Sequence, residues 1–363
     1  MKELSRVALP EMMSAAVYRG VNKIVVESVP VPRIGANELL VKVAACGVCP
    51  TDIKKIQYGT VPPPRIFGHE TSGTIVQVGA RVRGFRVGER VGLHHHVPCL
   101  KCHACRHRAF AQCAHYKRTG ITAGFEPAGG GFAEYVRVMN FVLPGAVKIP
   151  ARNSMFEGAM LEPVNTVLKA VKMLSPQKGD HVLVAGQGPI GLMFTRLLRH
   201  AGAKVIATDL IEKRLALARH FGARLTLNPL SPGFEKTVRR ETRGTGLDAA
   251  VIAVPSHAVV RQAQNLLRGG GQILLFAHTK RGDETPVDLS TVCVDEKQLL
   301  GSYSADFTLQ KEVAELVFSR KLDVRKLITH TFPLRQTAEA ISLAAQASAD
   351  ALKVVVTPDE TTK

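Results

Sequence analysis

Hydrophobic and polar positions change rhythm near residue 155. Before that point, short apolar or β-branched runs are broken by Gly, Pro and Asn, and residues 15–18, 23–28, 39–45, 71–78, 90–93 and 132–138 are predicted strands. Gly79 and Gly84 mark turns, and Pro62, Pro63 and Pro64 form a stiff connector ahead of Gly68-His69-Glu70. Short strands with Gly- and Pro-rich joints predict a largely β domain. Beyond residue 155, apolar positions at helical spacing over 156–174, interrupted at Pro163, lead into strand 181–185, helix 189–200, strand 204–208 and helix 211–221. Residues 249–254, 257–267 and 272–276 continue the alternation, which predicts a parallel sheet covered by helices on both faces. Helices over 309–318 and 334–345 and a strand over 353–356 follow, and these last 60 residues are expected to rejoin the first domain.

Composition agrees with two folded domains. The chain has 363 residues, 45% hydrophobic and 21% charged, which is enough to bury a core and excludes wholesale disorder. No stretch reaches 18 apolar residues, and residues 1–13 lack the apolar core of a secretory signal, so a cytoplasmic protein without membrane partners is expected. Forty-eight Lys and Arg against 30 acidic residues give a net charge of +18, a field that favours acidic ligands. Between Arg81 and Arg118, nine cations face the single acid Glu89. A nucleic-acid module would need a finger-like ligand spacing followed by a recognition helix, and neither is present. Aromatic residues make up only 5% and Trp is absent, which also argues against a stacking surface. A solvated basic lobe is expected, with no nucleic-acid partner. His94, His95, His96, His103 and His107 are expected to be surface or packing residues.

Two stretches carry recognisable chemistry. Cys99, Cys102, Cys105 and Cys113 are spaced C-x2-C-x2-C-x7-C. Seven cysteines are an odd number for disulfides, and a reduced compartment disfavours them. Four closely spaced thiolates suit one tetrahedral zinc with no open position, hence a structural ion; an iron–sulfur cluster is the alternative. The second stretch is Gly186-Gln187-Gly188-Pro189-Ile190-Gly191, a G-x-G-x-x-G turn between a predicted strand and a predicted helix. Gly186 permits the turn, Gly188 lets the backbone approach a pyrophosphate, and Gly191 lets helix and sheet pack closely. The helix N-terminus opened by Pro189 and Ile190 favours that anion. Asp209, 18 residues after Gly191, can accept both hydroxyls of an adenine ribose and repels a 2′-phosphate, so NAD is expected. Lys213 and Arg214 could instead hold a phosphate, or grip the diphosphate of NAD.

The chain resembles the zinc-dependent medium-chain dehydrogenase/reductase family, in particular its sorbitol and threonine dehydrogenase branch, from about Ser14 to Val356. The resemblance rests on Gly47-Val48-Cys49-Pro50-Thr51-Asp52, Gly68-His69-Glu70, the four-cysteine loop, Gly131-Phe132-Ala133-Glu134-Tyr135, Leu161-Glu162-Pro163, the Gly-rich turn and Asp209. It implies an α/β protein with a GroES-like β-rich catalytic domain over 1–157, carrying a structural zinc lobe at about 95–115. It also implies a doubly wound Rossmann NAD-binding domain over 158–300 and a returning segment over 301–363. It implies two zinc ions per subunit and a homo-oligomer, tetramer or dimer. A catalytic zinc would be held by Cys49, His69 and Glu162, with Glu70 as the alternative carboxylate, leaving one position open for an alcohol or polyol. Thr51 would relay the proton, Asp52 would brace the loop, and hydride would pass to NAD, giving a ketone. Cys46 is expected to pack, and Cys293 to be a buried free thiol.

The chain departs from the family at two places. Lys54 stands where many relatives carry a His, so it is expected to hold the nicotinamide ribose or a phosphate. Gly301-Ser302-Tyr303-Ser304 stands where the polyol branch carries an Arg-Tyr pair. The competing readings are an NAD(P)H-dependent aldehyde or ketone reductase and a nucleotide-binding protein without catalysis.

Overall fold

The early strands pair antiparallel and build two sheets, the larger closed at one edge by the parallel pair Ile328–Pro333 and Lys353–Thr357. The computed structural model describes residues 9–94, 97–119, 129–277, 279–280, 282–346 and 348–358; His95 and His96 lie outside this set. Strand Met12–Gly20 sits between Lys23–Pro30 and the short Arg65–Ile66. A larger sheet runs in the order Ile328–Pro333, Lys353–Thr357, Leu39–Gly47, Glu70–Val78, Arg90–Gly92 and Val147–Lys148, with Tyr135–Val138 also pairing with Leu39–Gly47. Met13, Val17, Leu39, Val41, Ile75, Phe132, Val136 and Val354 meet in one buried core. The register sets Gly47 opposite Glu70 on one side and Val355 on the other, so the C-terminal strand and the Gly68-His69-Glu70 stretch converge on the loop that begins at Gly47.

The second unit is a six-stranded parallel sheet. Its strands lie in the order Leu225–Leu227, Lys204–Thr208, His181–Ala185, Leu247–Ile252, Leu267–Leu275 and Gln298–Gly301, the 3-2-1-4-5-6 order of a doubly wound dinucleotide fold. Strands buried on both faces read as near-continuous apolar runs. His181–Ala185 accordingly buries Val182, Leu183, Val184 and Ala185. The chain divides into two compact units: one holds residues 1–162, 310–318 and 323–363, the other 163–309 and 319–322.

Several sequence expectations need correction. Pro163 does not interrupt the helical stretch; two helices, Met155–Ala159 and Leu161–Leu174, meet at Met160. A proline in the first turn of a helix costs no hydrogen bond, so Pro163 is accommodated near the start of the second helix. Cys293 is exposed, because its helix Leu289–Val294 buries none of its residues. Strands Leu225–Leu227, Gln298–Gly301 and Ile328–Pro333 and helix Phe234–Glu241 are further elements beyond those expected. No described helix is long and apolar enough to cross a membrane.

Candidate active site

Cys49 ends the central strand's loop and caps the helix Pro50–Tyr58; its Sγ accepts the Thr51 N–H at 3.5 Å. The same helix turn delivers Asp52, which is fully buried, with Oδ2 3.1 Å from His69 Nδ1. His69 is buried as well and shares a further hydrogen bond with Cys49. Burial would lower the imidazole's pKa, but the charges of Asp52 and Cys49 outweigh it and hold the ring well above its ordinary value. Burial would also raise Asp52, and His69 reverses that, keeping its carboxyl below the usual range.

Two more carboxylates sit in this buried patch. Glu70 places both oxygens 2.6 Å from Lys353 Nζ, which also donates to the Val48 carbonyl at 3.2 Å. A Cβ on Gly47 would fall 1.9 Å from Glu70 Oε2, so only glycine leaves room for that carboxylate. Glu162, buried in the first turn of its helix, is pushed up to about 7, chiefly by burial; His69 opposes the shift and Glu70 adds to it. Burial lowers Lys54, with Cys49 opposing. Cys46 is fully buried beside Thr71, as a packed thiol would be.

The four lobe cysteines come together. Their sulfurs all lie within 4.8 Å of one another, with Cys102–Cys105 at 3.4 Å and Cys99–Cys105 at 4.0 Å. Tetrahedral zinc with Zn–S of about 2.3 Å requires sulfurs about 3.8 Å apart, whereas a disulfide requires about 2.0 Å. The spacing therefore fits one ion and no disulfide. Backbone N–H groups of Lys101 and Cys102 draw the Cys99 thiol down to about 6, and burial pushes Cys105 up to about 12. Lys101, His103, Arg106, His107 and Arg108 are exposed around this loop, while His94 is fully buried.

In the parallel-sheet unit, the Gly-rich turn forms a cradle. Gly186 adopts φ +91°, and a Cβ on Gly191 would lie 1.7 Å from the Gly186 carbonyl oxygen. Gly188 has open space before it and caps the helix Pro189–His200 without a side chain, so the helix N–H groups there are available to an anion. Asp209 Oδ2 accepts the Gln187 N–H at 2.7 Å and Oδ1 accepts the Ile211 N–H at 2.9 Å, while Arg214 Nη1 stands 3.9 Å from Oδ2.

Comparison with known proteins places this architecture. Residues 35–150 match the alcohol dehydrogenase GroES-like domain, and residues 189–319 match the zinc-binding dehydrogenase domain. Sorbitol dehydrogenase of Bacillus subtilis strain 168 is 30% identical over 358 residues, covering 97% of this chain and 99% of that protein. The chain belongs to the zinc-binding medium-chain dehydrogenase/reductase superfamily. Among solved proteins of similar structure, a Sinorhizobium meliloti 1021 protein bound to NADP is 29% identical, with a TM-score of 0.86 over 96% of this chain and all of that one. An Escherichia coli CFT073 protein described as a short-chain alcohol dehydrogenase, solved with NADH, is 27% identical, with a TM-score of 0.85 over the same shares. The chain is thus an NAD(P)-linked oxidoreductase of the zinc alcohol dehydrogenase fold.

Within this medium-chain dehydrogenase, the two expected metal-ligand sets differ in how closely their donors lie. Among the described residues, only the four-cysteine loop draws three or more potential donors within 4.8 Å of one another. Cys49, His69 and Glu162 offer the sulfur, nitrogen and oxygen set of an open zinc site without meeting that closeness. The donor chemistry still fits, because the carboxylate–imidazole contact of Asp52 with His69 is the usual second support of a metal-bound histidine. Sequence reading missed Lys353 as the partner of Glu70. No local signal could have found it, since the two are 283 residues apart.

Proposed function

We propose that this chain is an NAD-dependent, two-zinc dehydrogenase that oxidises a secondary alcohol, polyol or amino alcohol to the ketone, acting in the cytoplasm as a homo-oligomer. In this reading the unit of residues 1–162, 310–318 and 323–363 supplies the alcohol chemistry, and the unit of residues 163–309 and 319–322 the cofactor site. The observation that carries it is the buried Asp52–His69 pair beside Cys49, with Glu162 in the same patch. A zinc ion held by Cys49, His69 and Glu162 would supply Lewis-acid polarisation of the alcohol oxygen. Asp52 fixes the His69 ring through Nδ1, so that Nε2 is the nitrogen left for a ligand role. Lys353 engages both oxygens of Glu70, which supports Glu162 as the acidic donor. Thr51 Oγ1, two residues beyond Cys49, relays the alcohol proton, accepting it while passing its own hydroxyl proton on to solvent water, and Lys54 holds the nicotinamide ribose. The closed thiolate set Cys99, Cys102, Cys105 and Cys113 holds the structural ion. The similarity to a sorbitol dehydrogenase supports a polyol substrate.

Asp209 supports NAD over NADP, since its carboxylate would repel a 2′-phosphate. Arg214 beside it, together with the NADP-bound relative, supports an NADPH-dependent carbonyl reductase as the second reading. Cofactor absorbance, followed with alcohols, polyols, threonine and aldehydes on zinc-loaded protein, tests both. Turnover fastest with NAD and a secondary alcohol or polyol is expected. Faster carbonyl reduction with NADPH would establish the second reading, and no turnover by protein that binds the cofactor would overturn both.

A further inference from the structure

The turn that follows the sixth parallel strand has a support that neither the fold nor the reading above uses. Strand Gln298–Gly301 runs parallel to its neighbours, so Gly301 lies at the same end of the sheet as Ala185 and Ile252. Ligands of such sheets bind beyond the carboxyl ends of the strands, with one mononucleotide half on strands 1–3 and the other on strands 4–6. Asp209 belongs to the first half. The turn Ser302–Asp306 belongs to the second.

That turn is held in an unfavourable conformation. Ser304 has φ +65°, a left-handed value that a non-glycine residue keeps only when its surroundings impose it. Two residues of helix Leu161–Leu174, four apart and so on one face, impose it. Lys169 Nζ donates to the carbonyl of Tyr303 at 2.9 Å and to that of Ser304 at 3.4 Å. Asn165 Oδ1 accepts the Asp306 N–H at 2.8 Å. Asp306 Oδ1 in turn accepts from the N–H and hydroxyl of Thr308. At the start of the turn, the Ser302 N–H donates to the Leu275 carbonyl at 3.2 Å. Its hydroxyl is different: Ser302 is 8% exposed, and Oγ has no hydrogen-bond partner among the described residues. A buried hydroxyl without a partner is costly, and a ligand group that bonds to it removes that cost.

We propose that Lys169 is a positioning residue for the nicotinamide half of the cofactor, locking the Ser302–Asp306 turn so that the buried Ser302 hydroxyl meets the bound dinucleotide. Two charge-assisted bonds to successive carbonyls fix the peptide planes on either side of Ser304, and through them the backbone that carries Ser302 and Tyr303. The inference rests on the nucleotide-binding reading of the Gly186–Gly191 turn.

Binding measurements separate the two. NADH is titrated by its own fluorescence and ADP-ribose, which lacks the nicotinamide ring, by calorimetry, against the parent protein, Lys169→Met, Lys169→Arg and Ser302→Ala. Lys169→Met should weaken NADH about tenfold, the size of one lost charge-assisted bond, and leave ADP-ribose unchanged. Lys169→Arg, which keeps the donors, should recover most of the affinity, and Ser302→Ala should show a smaller loss confined to NADH. Unchanged NADH affinity in Lys169→Met, or an equal loss for both ligands, would overturn the assignment. A parent protein that binds neither ligand would instead sink the nucleotide reading itself.

Discussion

Removing Lys353 should destabilise the β-rich unit more than any surface change. Lys353 is 3% exposed and Glu70 1%, and Nζ stands 2.6 Å from both carboxylate oxygens. Burial would lower the ammonium's pKa, but Glu70, helped by Cys49, holds it above its ordinary value. Lys353→Met leaves Glu70 as an uncompensated buried charge and leaves the Val48 carbonyl without its donor. Breaking a buried pair from one side costs about 3–5 kcal/mol. The unit to which both belong has roughly 210 residues, and a domain of that size shifts its midpoint by about 2–4 °C per kcal/mol, so a drop of about 6–20 °C is expected. Glu70→Gln combined with Lys353→Met removes both charges and should recover most of the loss, since a buried pair contributes little net stability over neutral groups. Calorimetric melting of zinc-loaded parent, single and double variants measures this. A Lys353→Met midpoint within about 2 °C of the parent, or a double variant less stable than the single, would refute the reasoning.

Other outcomes follow from the same geometry. Cys102→Ser should lose one zinc per chain by elemental analysis and lower the melting temperature, because a structural zinc contributes folding energy; an unchanged zinc count would refute the lobe site. Asp52→Asn should weaken zinc binding at the open site by about 10- to 100-fold in competition with a chelator, as loss of a histidine's supporting carboxylate does, while the four-cysteine ion stays bound. Asp209→Ala should weaken NAD by about ten- to hundredfold and narrow its advantage over NADP, because a charged acceptor is lost and the Gln187 N–H loses its partner. Thr51→Val should abolish most turnover with zinc and NAD still bound, and near-normal turnover would remove Thr51 from the proton path.

Features that close over a short stretch of chain are legible in the order of residues alone. Four cysteines within 15 residues can reach one ion whatever surrounds them, and their sulfurs do meet. A strand, a Gly-rich turn and a helix make a phosphate cradle from successive residues, and strand His181–Ala185 and helix Pro189–His200 lie where apolar periodicity puts them. Periodicity reports which face of an element is buried. It does not report what that face meets, which is why short strands such as Leu225–Leu227 lie beyond those expected.

Tertiary structure decided the rest, for one physical reason: a buried charge needs a partner, and the partner's place in the sequence is free. The Glu70–Lys353 pair and the grip of Lys169 on the Tyr303 and Ser304 carbonyls join residues over a hundred positions apart, and neither leaves a trace in local spacing. Helix geometry overruled the expected break at Pro163, because a proline in the first turn gives up no hydrogen bond. Cys293, apolar enough to be expected inside, is exposed because the helix that carries it buries nothing. The sequence by itself determined the donor types and the fold that carries them; the fold decided which of those donors are buried, paired and oriented.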